Sequence, residues 1–317
     1  MTRIRGPTVA AALLTDAVFG EPPEAVHPIV LVGRAVSAFE ERAFALKDAR
    51  QRRFAGILLA VTLPVITFAL ARMALRLASP RLRWPFEIVL LSSALSMRGL
   101  ARSALVVERE LEGGDLLTAR VRVGELVGRD TAHLSPHEVV RAAIESVAEN
   151  TSDGVVAPMF YGLLWGAPGA LAYKAVNTLD SMIGHPHPPY EDLGWASACL
   201  DDFANLLPAR VTALLAAAVS DSVGSAATTL IIARRYGPLV KSPNAGWAEA
   251  AFAGALGLKL GGSNSYGGVL RPGPTLGEGR PPEAADIRRA VSLMRRVCLL
   301  LGALVFSATL AGERPGG

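Results

Sequence analysis

The sequence predicts an all-α, polytopic integral membrane protein with about four to six hydrophobic segments and polar loops that carry the functional site. Of its 317 residues, 51% are hydrophobic and only 19% are charged, against about 25% charged in soluble domains. Mean hydropathy is +0.35. No charge interrupts residues 54–71, 154–173 or 297–312. Because about 20 apolar residues span a bilayer core, the first two runs are long enough to cross a membrane and the third nearly so.

The hydrophobic segments alternate with polar stretches along the whole chain, which we treat as a single membrane-embedded domain over 1–317. A charged residue, Asp221, interrupts the fifth segment, so two shorter helices are expected there. The polar stretch 234–289 is rich in glycine and proline and predicts an irregular surface loop. The candidate membrane segments are 6–20, 54–78, 85–106, 155–173, 204–233 and 290–312.

Several function classes find no support in the sequence. The net charge of +4 is mild, and no clustered basic face with aromatic residues indicates nucleic-acid binding. Cys199 and Cys298 lie far apart and in no metal-binding spacing. No phosphate-binding loop of the Walker type and no hydrolase elbow is present. His27 is a lone histidine, and such residues are more often structural than ligands.

One helix can be placed from its start signal. Ser135 precedes a proline and is followed three residues later by Glu138, the pattern of a capping box with proline at the first helical position. We expect this helix to run over 136–153 and to end at Gly154. A second, shorter helix is expected over 171–183, ending at the glycine that follows.

The first of these helices carries three acids on one face. Glu145, Glu149 and Asp153 fall at i, i+4 and i+8, and Asn150 flanks them. Asp153 lies at the C-terminal end, where the helix dipole disfavours an anion, so a bound cation would compensate. Carboxylate and amide oxygens suit Mg²⁺. A solvated acidic face is the alternative interpretation.

A second polar group follows directly after the apolar run 154–173. Lys174, Asn177 and Ser181 share one helical face. A lysine in this position is commonly an interfacial anchor. The asparagine, threonine, aspartate and serine around it favour a functional site instead, because an anchor does not need them.

Two further polar strings are weaker signals by themselves. Arg129-Asp130-Thr131 has the side chain best suited to a bidentate phosphate or carboxylate clamp, although most such strings are turns. The paired acids Asp201 and Asp202 are equally compatible with a metal site and with a simple helix start.

Taken together, these strings resemble the motifs of the adenosylcobinamide-phosphate synthases, the CobD/CbiB family of cobalamin biosynthesis. The similar segments occur in order, and the likeness covers about residues 12–311. Departures are Glu21, where aspartate is commoner, and a proline-rich loop at 185–190. The segments that carry the resemblance are VGRDT at 127–131, ESVAENTSDGVVAP at 145–158, YKAVNTLDSM at 173–182, and parts of 16–34 and 242–268.

The resemblance implies a multi-pass enzyme of the inner (cytoplasmic) membrane. Such an enzyme joins aminopropanol, or its O-phosphate, to the free propionate carboxylate of adenosylcobyric acid, giving adenosylcobinamide or its phosphate. ATP and Mg²⁺ are the expected cofactors, because a carboxylate is a poor acyl donor that ATP could convert to an acyl phosphate. Membrane lipid and other late cobalamin-pathway enzymes are candidate partners, and nucleic acid is not.

The resemblance also suggests roles for the polar residues. Arg129 and Lys174 would bind phosphates, and Asp180 or Asp201 would accept the proton of the amine. The expected metal ligands are Glu145, Glu149 and Asp153; the expected cofactor-binding residues are Arg129, Asp130, Thr131 and Asn150; the expected catalytic residues are Lys174, Asn177, Asp180 and Asp201.

Two rival functions stay open at the level of sequence. One is a transporter, because polar residues in broken helices also mark substrate paths. The other is a membrane sensor or accessory protein of the same superfamily. The polar residues here cluster at the ends of the apolar runs rather than inside them, which favours an enzyme.

The apolar run between the two polar groups contains helix-breaking residues. Pro158, Gly162 and residues 166–169 interrupt it. We therefore predict a re-entrant hairpin that turns near 166–169 and returns to the same side of the membrane. A single spanning helix with small residues for close packing is the alternative.

Overall fold

The computed structural model describes residues 5–220 and 225–312. It is 73% helical and its strands have only two or three residues each, so the predicted all-α class is confirmed. Three short turns of other helix types lie at Glu24–Val26 (3-10), Ser152–Val156 (π) and Gly237–Leu239 (3-10). The elements are α1 Gly6–Phe19, α2 Pro28–Phe44, α3 Ala49–Leu77, α4 Arg83–Ser92, α5 Met97–Glu112, α6 Leu116–Gly124, α7 Pro136–Thr151, α8 Ala157–Trp165, α9 Ala167–Ile183, α10 Trp195–Ala218, α11 Ala226–Tyr236, α12 Ala245–Leu256, β1 Leu260–Gly261, β2 Asn264–Tyr266, β3 Val269–Arg271, β4 Thr275–Leu276 and α13 Ala284–Gly312.

Within the described residues, three stretches are long and apolar enough to cross a membrane: Ala49–Leu77, Arg83–Glu112 and Ala284–Thr309. On α3, large apolar side chains such as Val61 and Val65 are exposed along the helix, which suits contact with lipid. The membrane character is therefore supported, and the number of spans stays a prediction. The second stretch contains both α4 and α5, with a turn at 93–96 between them, so the predicted segment 85–106 is not one continuous helix.

The chain forms two compact units. Unit 1 comprises Met1–Ser96, Ala157–Asn205 and Gly302–Gly317, and unit 2 comprises Met97–Val156 and Leu206–Leu301. The organisation as a single domain stays a prediction.

In unit 1, the apolar run after the acidic helix folds back on itself. Helices α8 and α9 pack against each other, with the rings of Tyr161 and Tyr173 stacked at a centroid distance of 5.0 Å. The turn lies at Gly166, whose φ of 73° favours glycine. A Cβ atom there would also lie 2.5 Å from Oε1 of Glu87. The predicted hairpin with its turn at 166–169 is confirmed; its re-entry into the membrane stays a prediction.

Helix α9 is the centre of unit 1. It packs against α2, α3, α4 and α8, and Leu179 and Ile183 are fully buried in a core with Val36 and Leu193. It ends at Ile183 as predicted, but it begins at Ala167, four residues before the predicted start. The packing on all sides fixes the orientation of its polar residues.

In unit 2, the predicted capping box of α7 is confirmed. The Ser135 amide donates to Glu138, and the Ser135 hydroxyl accepts from the Glu138 amide. The predicted end at Gly154 is wrong. The helix passes at Thr151 into the π turn Ser152–Val156, which contains Gly154. The buried Val155 holds this turn in the protein interior, so packing overrides the glycine stop signal.

The prediction of an irregular loop over 234–289 is wrong for much of its length. Helix α12 lies in this stretch and is buried along most of its small residues. Strand β1 pairs antiparallel with β4, and β2 pairs antiparallel with β3. Gly267 and Gly268 both have positive φ, as a two-residue hairpin turn requires.

The segment predicted over 204–233 consists of two helices, as expected. Helix α10 ends at Ala218 and α11 begins at Ala226. Asp221, the predicted interruption, lies outside the described residues.

Candidate functional site

The first polar cluster lies in unit 2 and is centred on Glu145 of α7. Its Oε2 accepts a hydrogen bond of 2.6 Å from Arg129, and its Oε1 accepts one of 2.7 Å from the Gly261 amide. Arg141 is on the same helix, with its Nε 3.9 Å from Glu145. The Arg129 and Glu145 side chains are only 7% and 9% exposed. This is therefore a buried ion pair, whose charges depend on each other.

The same two arginines hold the loop that follows β1. Arg141 donates to the Ser263 carbonyl at 3.0 Å and to Oδ1 of Asn264 at 2.9 Å, and it also donates to the Gly261 carbonyl. Arg129 donates to the same Asn264 oxygen. The set Arg129, Arg141, Glu145, Gly261 and Asn264 is called the Arg129 cluster below. Arg141 was not among the predicted site residues, although its i, i+4 spacing to Glu145 was a usable signal.

Asp130 holds the hairpin formed by β2 and β3. Its carboxylate accepts from the Gly268 amide at 2.7 Å, the Gly267 amide at 3.2 Å and the Ser265 hydroxyl at 2.8 Å. These hydrogen bonds, led by that of Gly268, lower the pKa of Asp130. The neighbouring Thr131 carbonyl accepts from the Leu134 amide in a turn. The predicted role of Asp130 and Thr131 in binding a cofactor stays a prediction.

A further acid, Glu249 on α12, belongs to this region of unit 2. Burial raises its pKa well above the usual glutamate value, and the negative charges of Glu145 and Glu149 raise it further. Arg129 and Arg141 act in the opposite direction. The environment therefore favours the neutral form of Glu249. No motif surrounds it in the alanine-rich helix, so sequence reasoning missed it.

The other predicted site residues on α7 and in the π turn after it are more accessible than Glu145. Glu149 is exposed and Asp153 is half-buried. The Asn150 amide donates to the Ser146 carbonyl one turn earlier, at 3.0 Å. Across residues 5–220 and 225–312, no group of three or more His, Cys, Asp or Glu side chains is placed to hold a metal ion. Metal binding by Glu145, Glu149 and Asp153 stays a prediction.

The second polar cluster lies in unit 1, where α9 meets the first turns of α10. Lys174 Nζ donates to Oδ1 of Asn177 at 2.9 Å, and Asn177 donates to Oδ1 of Asp201 at 3.4 Å. Asn205 donates to the other Asp201 oxygen at 3.0 Å, and the Tyr173 hydroxyl donates to Asn205 at 2.7 Å. We call these five residues the Lys174 cluster. They form one continuous chain of hydrogen bonds.

Asp201 lies in the middle of this chain and is buried, with 7% of its surface exposed. Burial raises its pKa, and the nearby charge of Asp202 adds to the effect. The hydrogen bonds from Asn205 and Asn177 and the positive charge of Lys174 partly oppose it. Asp201 is therefore more basic than an ordinary aspartate. Asp180 lies on α9 as well, but about 120° around the helix from Lys174.

His27 also lies within the electrostatic reach of Lys174. Its Nδ1 accepts from the Ile29 amide at 3.2 Å and caps α2, so the structural role predicted for it is confirmed. Burial lowers its pKa; Glu21 opposes this effect and Lys174 adds to it. Because Nδ1 is the acceptor, the neutral ring carries its proton on Nε2. This Nε2 lies 3.9 Å from the Glu21 carboxylate, so the acid beside it is Glu21.

Comparison with known proteins identifies the family to which this chain belongs. The model of the CobD/Cbib protein family matches residues 9–294. The chain belongs to the CobD/CbiB family. Every residue of the Arg129 and Lys174 clusters lies within the matched region.

Similar proteins include several that carry the family's names. "Cobalamin biosynthesis protein CobD" of Synechocystis sp. is 40% identical over 96% of this chain and 92% of the relative. The CobD protein of Klebsiella pneumoniae is 43% identical, covering 89% and 91% of the two chains. "Cobalamin biosynthesis protein CbiB" of Salmonella arizonae is 40% identical, covering 94% and 95%. No solved structure matches the chain.

Proposed function

We propose that this member of the CobD/CbiB family forms the amide bond of late cobalamin biosynthesis. It would join aminopropanol, or its O-phosphate, to the free propionate of adenosylcobyric acid, giving adenosylcobinamide or its phosphate. The observation that carries the proposal is the Lys174 cluster, in which a cation is linked through one amide to a buried, basic carboxylate. Amide formation needs this combination of anion binding and proton removal.

The reaction defines what the chain's own residues must do. The amine must lose a proton before its lone pair can attack the carbonyl carbon; a C–N bond then forms and the C–O bond to the activating group breaks. ATP would supply that activation. Asp201 is the proposed proton acceptor because its raised pKa brings it closer to the task. Asp201 fits this role better than Asp180, which lies about 120° around α9 from Lys174.

The positive end of the Lys174 cluster would bind the anionic group of a substrate. Lys174 provides the positive charge for this binding. Asn177 donates to Asp201 and accepts from Lys174, so it would keep the two charged groups at a fixed separation. The bound group would be a carboxylate or a phosphate.

The residues of unit 2 fit the expected ATP and Mg²⁺ unequally. Glu145 is buried and both its oxygens accept hydrogen bonds, whereas Glu149 is exposed and Asp153 is half-buried, so these two acids are the more accessible metal ligands. One or two carboxylates plus substrate phosphates are the usual ligands of Mg²⁺, so these two acids suffice for the proposal. Arg129, Thr131 and Asn150 would bind the phosphates, Arg129 with the donors that Glu145 and Asn264 leave unused.

An activity assay tests the proposed reaction. The purified protein in detergent is incubated with adenosylcobyric acid, ATP, Mg²⁺ and either aminopropanol or its O-phosphate, and products are measured by mass. We expect the mass of adenosylcobinamide or its phosphate to appear only when ATP is present. Absence of both products with both amines would overturn the proposal.

We also propose that the chain is a multi-pass protein of the inner membrane. The exposed apolar face of α3 and the three long apolar stretches support this placement. After high-salt and alkaline washes the protein should stay in the membrane pellet and leave it only with detergent. Release by salt alone would contradict the proposal.

A further inference from the structure

A groove in unit 1 lies at the point where α3 changes from basic to apolar. It has a volume of about 650 Å³ and is formed by the end of α2, the connection to α3 and the first turns of α3. Its floor includes Phe39 and Ala43, which belong to a buried core or pack against it. Its outer wall is Phe54 and Leu58, which are 69% and 50% exposed. The groove is thus an apolar surface that opens outwards.

Two arginines, Arg42 and Arg50, stand at the edge of this groove. In the described part of the chain, neither guanidinium forms an ion pair. The two neighbouring arginines each have a partner: Arg52 forms an ion pair of 3.6 Å with Asp192, and Arg53 stacks over the Trp195 ring at 4.2 Å. Arg42 and Arg50 therefore keep positive charge available beside an apolar cavity.

The nearest acid in sequence to Arg50 is used as a helix cap. The Asp48 carboxylate accepts from the Arg50 amide at the start of α3, and in the described residues it forms no ion pair with either guanidinium. Arg42 uses one nitrogen to donate to the Ala38 carbonyl at 3.1 Å. A guanidinium has five N–H donors, so most of its donors are left for a ligand.

The order of residues along α3 matches a membrane boundary. Arg50 lies one turn before Phe54, about 6 Å along the helix axis, and the uncharged run 54–71 begins there. A ligand that fits must place an anion beside the arginines and a hydrocarbon chain beside Phe54 and Leu58. We propose that the groove binds an anionic glycerophospholipid, with its phosphate between Arg42 and Arg50 and an acyl chain along Phe54 and Leu58.

The charge pattern favours a lipid over other apolar ligands. Arginine binds phosphate in a bidentate way, and basic pockets beside membrane helices are suited to anionic headgroups. The proposal is independent of the proposed enzymatic reaction, because none of these residues belongs to the Arg129 or Lys174 cluster.

The test uses the full chain, purified and stripped of lipid in detergent. Binding of phosphatidylglycerol and of phosphatidylcholine with the same acyl chains is measured by native mass spectrometry. The variant R42Q/R50Q removes the two charges of the groove. The control R72Q/R76Q removes two exposed arginines from the other end of α3.

We expect the unmodified protein and the control to bind phosphatidylglycerol about tenfold or more tightly than phosphatidylcholine, and R42Q/R50Q to lose that preference. An unchanged preference in R42Q/R50Q, or an equal loss in both double variants, would overturn the proposal. Displacement of the lipid by excess soluble glycerol 3-phosphate would show a site for a free phosphate ester and would also overturn it.

Discussion

In the Arg129 cluster two guanidinium groups flank one carboxylate, whereas in the Lys174 cluster an amide stands between the ammonium and the carboxylate. Glu145 accepts directly from Arg129 and from the backbone of the loop after β1. Asp201 instead accepts from the side chains of Asn177 and Asn205. Its charge is compensated only in part, and its pKa is raised.

This difference in charge compensation favours a structural role for the Arg129 cluster and a role in proton transfer for the Lys174 cluster. A carboxylate that is paired with an arginine and hydrogen-bonded to backbone fixes the positions of its partners. A buried carboxylate among amides is more basic and can exchange a proton. We therefore expect changes in the Arg129 cluster to act first on stability, and changes in the Lys174 cluster to act first on the reaction.

The largest effect is expected from Asp201→Asn. It keeps the shape of the side chain and removes the proton acceptor, so product formation should fall about a hundredfold to ten-thousandfold, while the loss of one of the two hydrogen bonds that Asp201 accepts should cost only about 1 kcal/mol of stability. The unmodified enzyme should also lose activity as pH falls through the pKa of Asp201, at a pH above the ordinary aspartate range because burial raises that pKa. The measurement is the pH profile of the rate with both proteins.

The matched control for this change is Asp202→Asn, which alters the neighbouring acid on the same helix. It should keep most of the activity and the loss at acid pH. If the residual activity of Asp201→Asn still shows the same acid limb, another group accepts the proton.

The second effect concerns the buried ion pair. Glu145→Gln leaves Arg129 without its counter-charge, and breaking a buried pair in this way costs about 3–5 kcal/mol. The protein in detergent should therefore unfold at a clearly lower temperature. As a control, Glu278→Gln breaks the exposed pair with Arg235 and should cost less than about 1 kcal/mol. Equal small losses for the two variants would remove the structural role of the Arg129 cluster.

A smaller effect is expected from Glu149→Gln on the exposed side of α7. If Glu149 binds Mg²⁺ together with substrate phosphates, activity at limiting Mg²⁺ should fall about tenfold to a hundredfold. Stability should be unaffected because the side chain is exposed. Glu125→Gln, an exposed change in the same unit, is the control. Equal activity of both variants at limiting Mg²⁺ would refute the metal role.

The sequence was most informative where signals are local. The capping box at Ser135, the two-helix nature of 204–233 and the turn near Gly166 depend on residues a few positions apart, and the structure confirms all three. Gly154 was misleading, because burial of the π turn outweighs the preference of glycine for helix ends.

The partners of the site residues could not be predicted in the same way. Glu145 and the Gly261 amide are 116 residues apart in sequence, and no local pattern pairs them. Glu249 lies in an alanine-rich helix within the stretch 234–289, for which the sequence predicts an irregular loop, so no local signal indicated its place near Glu145. Arg141 did have one, but its spacing is equally typical of an ordinary surface ion pair.

The smallest effect is expected from Asp130→Asn, which separates the contacts of the hairpin from those of the Arg129–Glu145 ion pair. Asp130 is bonded to the hairpin turn and not to Glu145. An amide has one acceptor oxygen where the carboxylate has two, so at least one hydrogen bond to the Gly267 or Gly268 amide should be lost.

Hydrogen exchange measures this loss locally. The amides of 265–271 should exchange faster in Asp130→Asn, while those of α7 keep their protection, because the Arg129 to Glu145 pair is intact. Glu145→Gln should instead speed exchange in both places, since its single acceptor oxygen cannot serve both Arg129 and the Gly261 amide. Faster exchange in α7 as well in Asp130→Asn would show that the hairpin and the Arg129–Glu145 ion pair unfold as one cooperative unit. The contacts of Asp130 with the hairpin turn would then stabilise the loop after β1 as much as the contacts of Glu145 with Gly261 do.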